Sequence, residues 1–185
     1  MTCRVISRAL TSLDSSQRYR VSLRLYHGWQ KGYQETERKI ATKTAIAATE
    51  FSALSAMPAV AFDDNVAFGD LLLDALPKRL MGKPAVHLPG TLRRTDGFGD
   101  LREKMVDTAI AADLLSLARS EPSGLIVALV EDTDLVPPIF TAEAWMSPAS
   151  GRALILRNGD GGSSILNLTD LVLKGQWNGR IRTAA

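Results

Sequence analysis

The stretch from Leu101 to Val130 constrains the fold most. Val106, Ile110, Leu114 and Leu117 recur at i, i+4, i+8 and i+11, the stripe that a helix turns toward a core. The expected helix runs from about Leu101 or Glu103 to Arg119, and Pro122 and Gly124 end it. GLIVALV follows, a continuous apolar run of the kind found in parallel strands covered on both faces. A core-facing helix feeding a buried strand through a short connection argues for an α/β domain with a mainly parallel sheet.

The flanking segments fit that alternation. Arg4–Leu13 reads as a short helix, with Val5, Ala9 and Leu13 at intervals of four. Tyr19–Tyr26 alternates, with Val21, Leu23 and Leu25 on one face. Arg20, Ser22, Arg24 and Tyr26 make the other, a cationic and aromatic outer face. Glu35 to about Leu54 is Ala-rich without Gly or Pro and reads as a helix. Short strands are expected at Ala59–Phe62, Ala85–Leu88 and Ala153–Leu156. A helix is expected from near Pro137, since proline suits a first turn. PGTLRRTDGFGD reads as a Gly-rich loop and NGDGGSS as a turn. Residues 1–173 are expected to form a single domain, and 174–185 a flexible tail.

Composition excludes several classes. At 185 residues, 45% hydrophobic and 23% charged, the chain has the material for one core. Its apolar runs are too short to cross a bilayer, and MTCRVISRALTSLDSS lacks the apolar centre of a signal peptide. Cys3 is the only cysteine, so neither a disulfide framework nor a cysteine zinc site forms within one chain. A cytoplasmic protein with no membrane partner is the plain expectation. The net charge of +2 is unevenly spread. Residues 1–39 carry eight Lys/Arg against three Asp/Glu, giving +5, and residues 96–134 carry three against nine, giving −6. A phosphate-attracting surface beside a cation site is one reading; two unrelated solvated faces is the other.

The acidic residues sit where chemistry is expected. VEDTD, holding Glu131, Asp132 and Asp134, follows the buried run at its carboxyl end, where ligands bind in open α/β sheets. Carboxylates so close repel, and a cap, an ion pair or a metal must offset this. Asp134 also suits the N-cap of the following helix. On a wheel of about 100° per residue, Asp113 lies seven residues from Val106, about 20° short of two turns. It therefore falls on the apolar stripe, where a bare carboxylate is costly unless paired or ligating. Asp107 lies in the first turns, where the helix dipole favours it and Lys104 is within pairing range. His27, His87 and Cys3 have no partner in sequence that suggests catalysis.

EKMVDTAIAADLL followed by VALVEDTDLVP resembles the second half of NYN domains of the PIN-like nuclease superfamily. That family shows a Lys-x-x-Asp helix start, an Asp six residues later and a strand ending in Ser-x-Asp-x-Asp-Phe. Lys104, Asp107, Asp113, Asp132 and Asp134 match, while Glu131 and Leu135 depart from the pattern. YRVSLRLYHGW is similar to the second strand of some bacterial members.

The resemblance implies a three-layer PIN-like (Rossmann-like) fold, with a mainly parallel central sheet flanked by helices. It also implies a metal-dependent ribonuclease acting on single-stranded or structured RNA. Asp107, Asp132 and Asp134 would be its catalytic ligands for Mg²⁺ or Mn²⁺, converging in one crevice, with Asp113 a ligand or a partner behind them. Lys104, Arg20, Arg24, Arg93 and Arg94 are the expected RNA contacts. The family opens with a strand ending in aspartate, whereas MTCRVISRALTSLD reads as the helix after it, and Asp14 is misplaced to substitute. An enzyme impaired by the missing aspartate is therefore expected. A non-catalytic module binding RNA or a protein partner, with a possible homodimer, is the alternative.

Overall fold

The computed structural model describes residues 2–55, 57–74, 86–94, 99–159 and 162–166. The chain is mixed α/β, and it divides into two units, Met1–Leu117 and Ala118–Ala185. The first unit begins with α1 (Thr2–Leu13). Its inward face is Ile6, Ser7 and Leu10 rather than Val5, Ala9 and Leu13. Ser7 is tolerated there because its hydroxyl donates to the carbonyl of Cys3 at 2.8 Å.

The expected strand at Tyr19–Tyr26 is broken into β1 (Tyr19–Val21) and β2 (Arg24–Leu25). A tight pair, β3 (Gln30–Lys31) and β4 (Gln34–Glu35), follows, turning at Gly32 with φ 61°. Helix α2 (Glu37–Ala47) is capped by Thr36, whose hydroxyl accepts from the Lys39 amide at 3.3 Å. It stops short of the expected Leu54. Thr42, Thr44 and Thr49 each donate to the carbonyl four residues back, a competition that weakens helix continuation. A 3-10 turn at Phe51–Ala53 takes over.

β5 (Val60–Phe62) pairs parallel with β1, and β6 (Ala67–Phe68) pairs parallel with β2. The expected strand at 85–88 lies partly outside the described residues; its described part contributes a single bridge, Leu71 to His87. Part of the expected loop PGTLRRTDGFGD is strand: β7 (Leu92–Arg94) pairs antiparallel with β8 (Leu101–Glu103). That pairing takes Leu101–Glu103 from the expected helix, and Met105, at φ 62°, separates strand from helix. Helix α3 (Val106–Ser120) starts immediately after it.

In the second unit β9 (Leu125–Leu129) pairs parallel with β10 (Arg152–Gly159), from Leu125 opposite Arg152 to Leu129 opposite Leu156. Helix α4 (Val136–Met146) carries prolines in its first turn and buries Ile139, Ala142 and Met146. β11 (Gly162–Leu166) returns antiparallel along β10, so the expected NGDGGSS turn contributes to both strands; Asp160 and Gly161 lie outside the described residues. Gly151 allows the entry to β10, since a Cβ there would collide with the backbone carbonyl of Pro122. Ala153, Leu154, Ile155 and Leu156 form the core of this unit.

The mainly parallel central sheet expected from the sequence is not what the described strands form. They make five small sheets, partly parallel and partly antiparallel, because most strands are only two or three residues long. Among the described residues no helix is long and apolar enough to cross a membrane. The tail at 174–185 and the end of the expected domain at 173 lie outside the described residues.

Candidate functional site

Asp113 is the most constrained of the candidate residues. It is 1% exposed, on the apolar stripe of α3. Its Oδ2 accepts from Arg24 Nε and from the Tyr26 hydroxyl, each at 2.8 Å, and its Oδ1 accepts from the Leu73 amide at 2.8 Å. Both oxygens are thus occupied by protein donors. Arg24 also donates to the Leu71 carbonyl and lies 5.6 Å from the Tyr26 ring centre. Burial raises the Tyr26 phenol well above its ordinary range, and the Asp113 charge adds to the rise. Gly69 makes room for this arrangement, since a Cβ there would fall on the Tyr26 ring.

The polar face expected to look outward therefore splits. Arg20 and Ser22 face solvent and both bind Asp63, at 2.5 Å each. Their hydrogen bonds, that of Ser22 foremost, hold the Asp63 carboxyl below its ordinary value. Arg24 and Tyr26 turn inward to Asp113. Arg24, an expected RNA contact, has a side chain only 16% exposed.

Two further clusters, one buried and one largely exposed, escaped the sequence reading. Asp70, just past β6, takes Lys39 Nζ and Gln30 Nε2 on Oδ2 at 2.6 Å each. Burial pushes its carboxyl up, but Gln30 and Lys39 outweigh that and leave it below the ordinary value. His27 Nδ1 touches Glu103 Oε1 without hydrogen-bond alignment, while Arg38 meets Nε2. Burial lowers the His27 pKa, and Arg38 adds to the effect against the pull of Glu103.

Asp107 is exposed in the first turn of α3, and Lys104 is exposed just before it; no ion pair joins them. Arg93 stands directly opposite Arg102 across β7 and β8, and both are exposed, as is Arg94. Like charges facing across a ladder repel. None of the four cations Arg93, Arg94, Arg102 and Lys104 makes an ion pair among the described residues. A separate cavity of about 920 Å³ lies between the Phe51–Ala53 turn and the end of β5, lined in part by Glu50, Asp63 and Asp64; no expected site residue lines it.

In the second unit Asp132 and Asp134 lie on one turn past the carboxyl end of β9, both exposed. Asp132, not Asp134, is the cap: its Oδ1 accepts from the Asp134 amide at 2.9 Å. The 3-10 turn Thr133–Leu135 that it caps leads into α4. Oδ2 of Asp132 and the carboxylate of Asp134 stay open to solvent. Two carboxylates on one turn suit a hard cation that keeps most of its waters. Among the described residues, however, no three His, Cys, Asp or Glu side chains are grouped to hold a metal.

No family model, curated protein or solved structure matches this chain. Its chemistry is therefore read from its own side chains. The residues brought together are Arg24 with Asp113, and Asp132 with Asp134. Asp107 belongs to the first unit and the Asp132–Asp134 pair to the second.

Proposed function

We propose that the chain is a three-layer PIN-like module that acts as a Mg²⁺- or Mn²⁺-dependent ribonuclease. The observation that carries this reading is the Asp132–Asp134 turn. It presents two exposed carboxylates at the carboxyl end of a strand in a parallel pair, with no protein cation in ion-pair contact among the described residues. That is the position at which α/β sheets bind ligands. A bound cation would supply polarisation of the phosphodiester and an activated water. Asp132 Oδ2 and Asp134 would hold it, with the Asp132 cap fixing the turn. Asp113 serves instead as the anchor of its helix, since its oxygens already accept three hydrogen bonds.

Arg93, Arg94, Arg102 and Lys104 are the RNA-facing cations of this reading. Opposed arginines without a carboxylate are relieved by a phosphate backbone. The same observation favours a second reading, a module that binds RNA without cleaving it, since no three potential ligands are grouped among the described residues.

Incubation of the chain with labelled single-stranded RNA separates the two. Slow cleavage that needs Mn²⁺, stops in EDTA and disappears in Asp132→Asn/Asp134→Asn is the expected result. Cleavage that survives both EDTA and the double substitution overturns the mechanism. Binding without cleavage at any metal concentration selects the second reading.

A further inference from the structure

We propose that His27 is a proton-operated clasp: its neutral ring holds Arg38 of α2, and a second proton on the ring releases Arg38 while the ring stays on Glu103 of β8. Three elements of the first unit meet at this side chain, which lies in the short connection between β2 and β3. Nδ1 touches Oε1 of Glu103, the last residue of β8. Nε2 meets Nη1 of Arg38, the second residue of α2. Trp29 lies beside the ring, with the ring centres 5.1 Å apart. Among the described residues Glu103 and Arg38 are the charged groups that act on the ring.

These contacts fix where the ring carries its proton. A guanidinium has donors only, so Nε2 must accept with its lone pair. The single proton of the neutral ring is then on Nδ1, against the Glu103 carboxylate. Nδ1 is enclosed but not aligned with Oε1, which already accepts from the Gly28 amide at 2.9 Å. The ring is pulled both ways, since Glu103 favours a second proton while burial and Arg38 oppose it. That proton can enter only at Nε2, where it sets donor against donor and cation against cation. Arg38 then has to leave. It has no carboxylate partner among the described residues, and the dipole of its own helix disfavours a cation in the first turn. The charged ring meanwhile binds Glu103 more strongly. Acid thus loosens the tie to α2 and tightens the tie to β8. Glu103 and Arg38 cancel beside a neutral ring, and a charged ring leaves one net positive charge. The pKa of His27 lies below its ordinary value, so the release falls on the acid side of pH 6.5. The clasp does not depend on the nuclease reading.

Nitrogen-15 NMR of the whole chain tests the proposal. The chain has two histidines, His27 and His87, and His27→Gln assigns their signals. In mildly alkaline solution His27 should carry its proton on Nδ1. As the pH falls through the His27 midpoint, the Arg38 guanidinium protons should exchange faster with water, while the Gly28 amide stays protected. Arg38→Met should raise the midpoint and Glu103→Gln should lower it, each by about half a pH unit or more. A side chain that only packs would not respond in opposite directions to the two changes. A neutral ring with its proton on Nε2, a midpoint indifferent to Arg38→Met, or Arg38 signals indifferent to pH overturns the proposal.

Discussion

Arg24 donates from Nε to Oδ2 of Asp113 at 2.8 Å, across 89 residues of sequence, and the two side chains are 16% and 1% exposed. Each charge is made acceptable in the core chiefly by the other, with Tyr26, the Leu73 amide and the Leu71 carbonyl meeting the remaining polar atoms.

Removing one partner should therefore cost more than removing both. Asp113→Ala is expected to lose about 3–5 kcal/mol in urea denaturation, the usual penalty for stranding a buried charge. Arg24→Met/Asp113→Leu should lose clearly less than the sum of the single changes. Additive losses would mean that the two groups do not share a buried pair.

Gly69→Ala tests the packing around the same carboxylate. The new methyl needs the space of the Tyr26 ring, so the ring must move away from Asp113. Overpacking of this kind costs about 1–3 kcal/mol. The tyrosine near-ultraviolet circular dichroism should change with it. Gly69→Ala in a Tyr26→Ala background should be much milder.

Asp70 should govern part of the acid stability. Its folded carboxyl lies below the ordinary value of 3.8, so it binds protons less readily than in the unfolded chain. Its contribution is complete above that value and is lost as pH falls through the folded pKa. Asp70→Asn should flatten the stability profile in this acid window. Lys39→Met, which removes one of its donors, should shift the loss to higher pH. A profile unchanged by Asp70→Asn would refute the assignment.

Arg102→Ala should weaken single-stranded RNA binding and lower the slope of log affinity against log salt by about 0.7, one phosphate contact. Arg93→Ala should act alike. The paired change Arg24→Met/Asp113→Leu should leave that slope unchanged, because the Arg24 guanidinium faces Asp113 rather than solvent.

The sequence could be read most fully where periodicity was long. The stripe of α3 foretold that Asp113 would be buried, and the apolar run of β9 was legible as a strand because five residues suffice. The partners of Asp113 were not legible. Alternation told that Arg20, Ser22, Arg24 and Tyr26 share a face, but not that the strand breaks after Val21 and turns the last two inward. The β7–β8 pair was missed because three-residue strands carry too little period to detect, and its signal, two arginine-bearing segments flanking a Gly-rich stretch of sequence, reads as a loop. At the Asp132–Asp134 turn the cap was foreseen but given to Asp134, since the intervening 3-10 turn has no sequence period of its own.

The reach of Asp113 also sets an order of assembly on the ribosome. Its three donors, Arg24, Tyr26 and the Leu73 amide, precede it by 89, 87 and 40 residues. Synthesis proceeds at about 5–20 residues per second, so the Arg24 guanidinium waits seconds for its counter-ion. During that interval Arg24 of β2 and the following Tyr26 have been made but have nothing to draw them inward. Closure of that long loop comes late, and α3 acts as the latch that completes the first unit only after nearly all of it has been made.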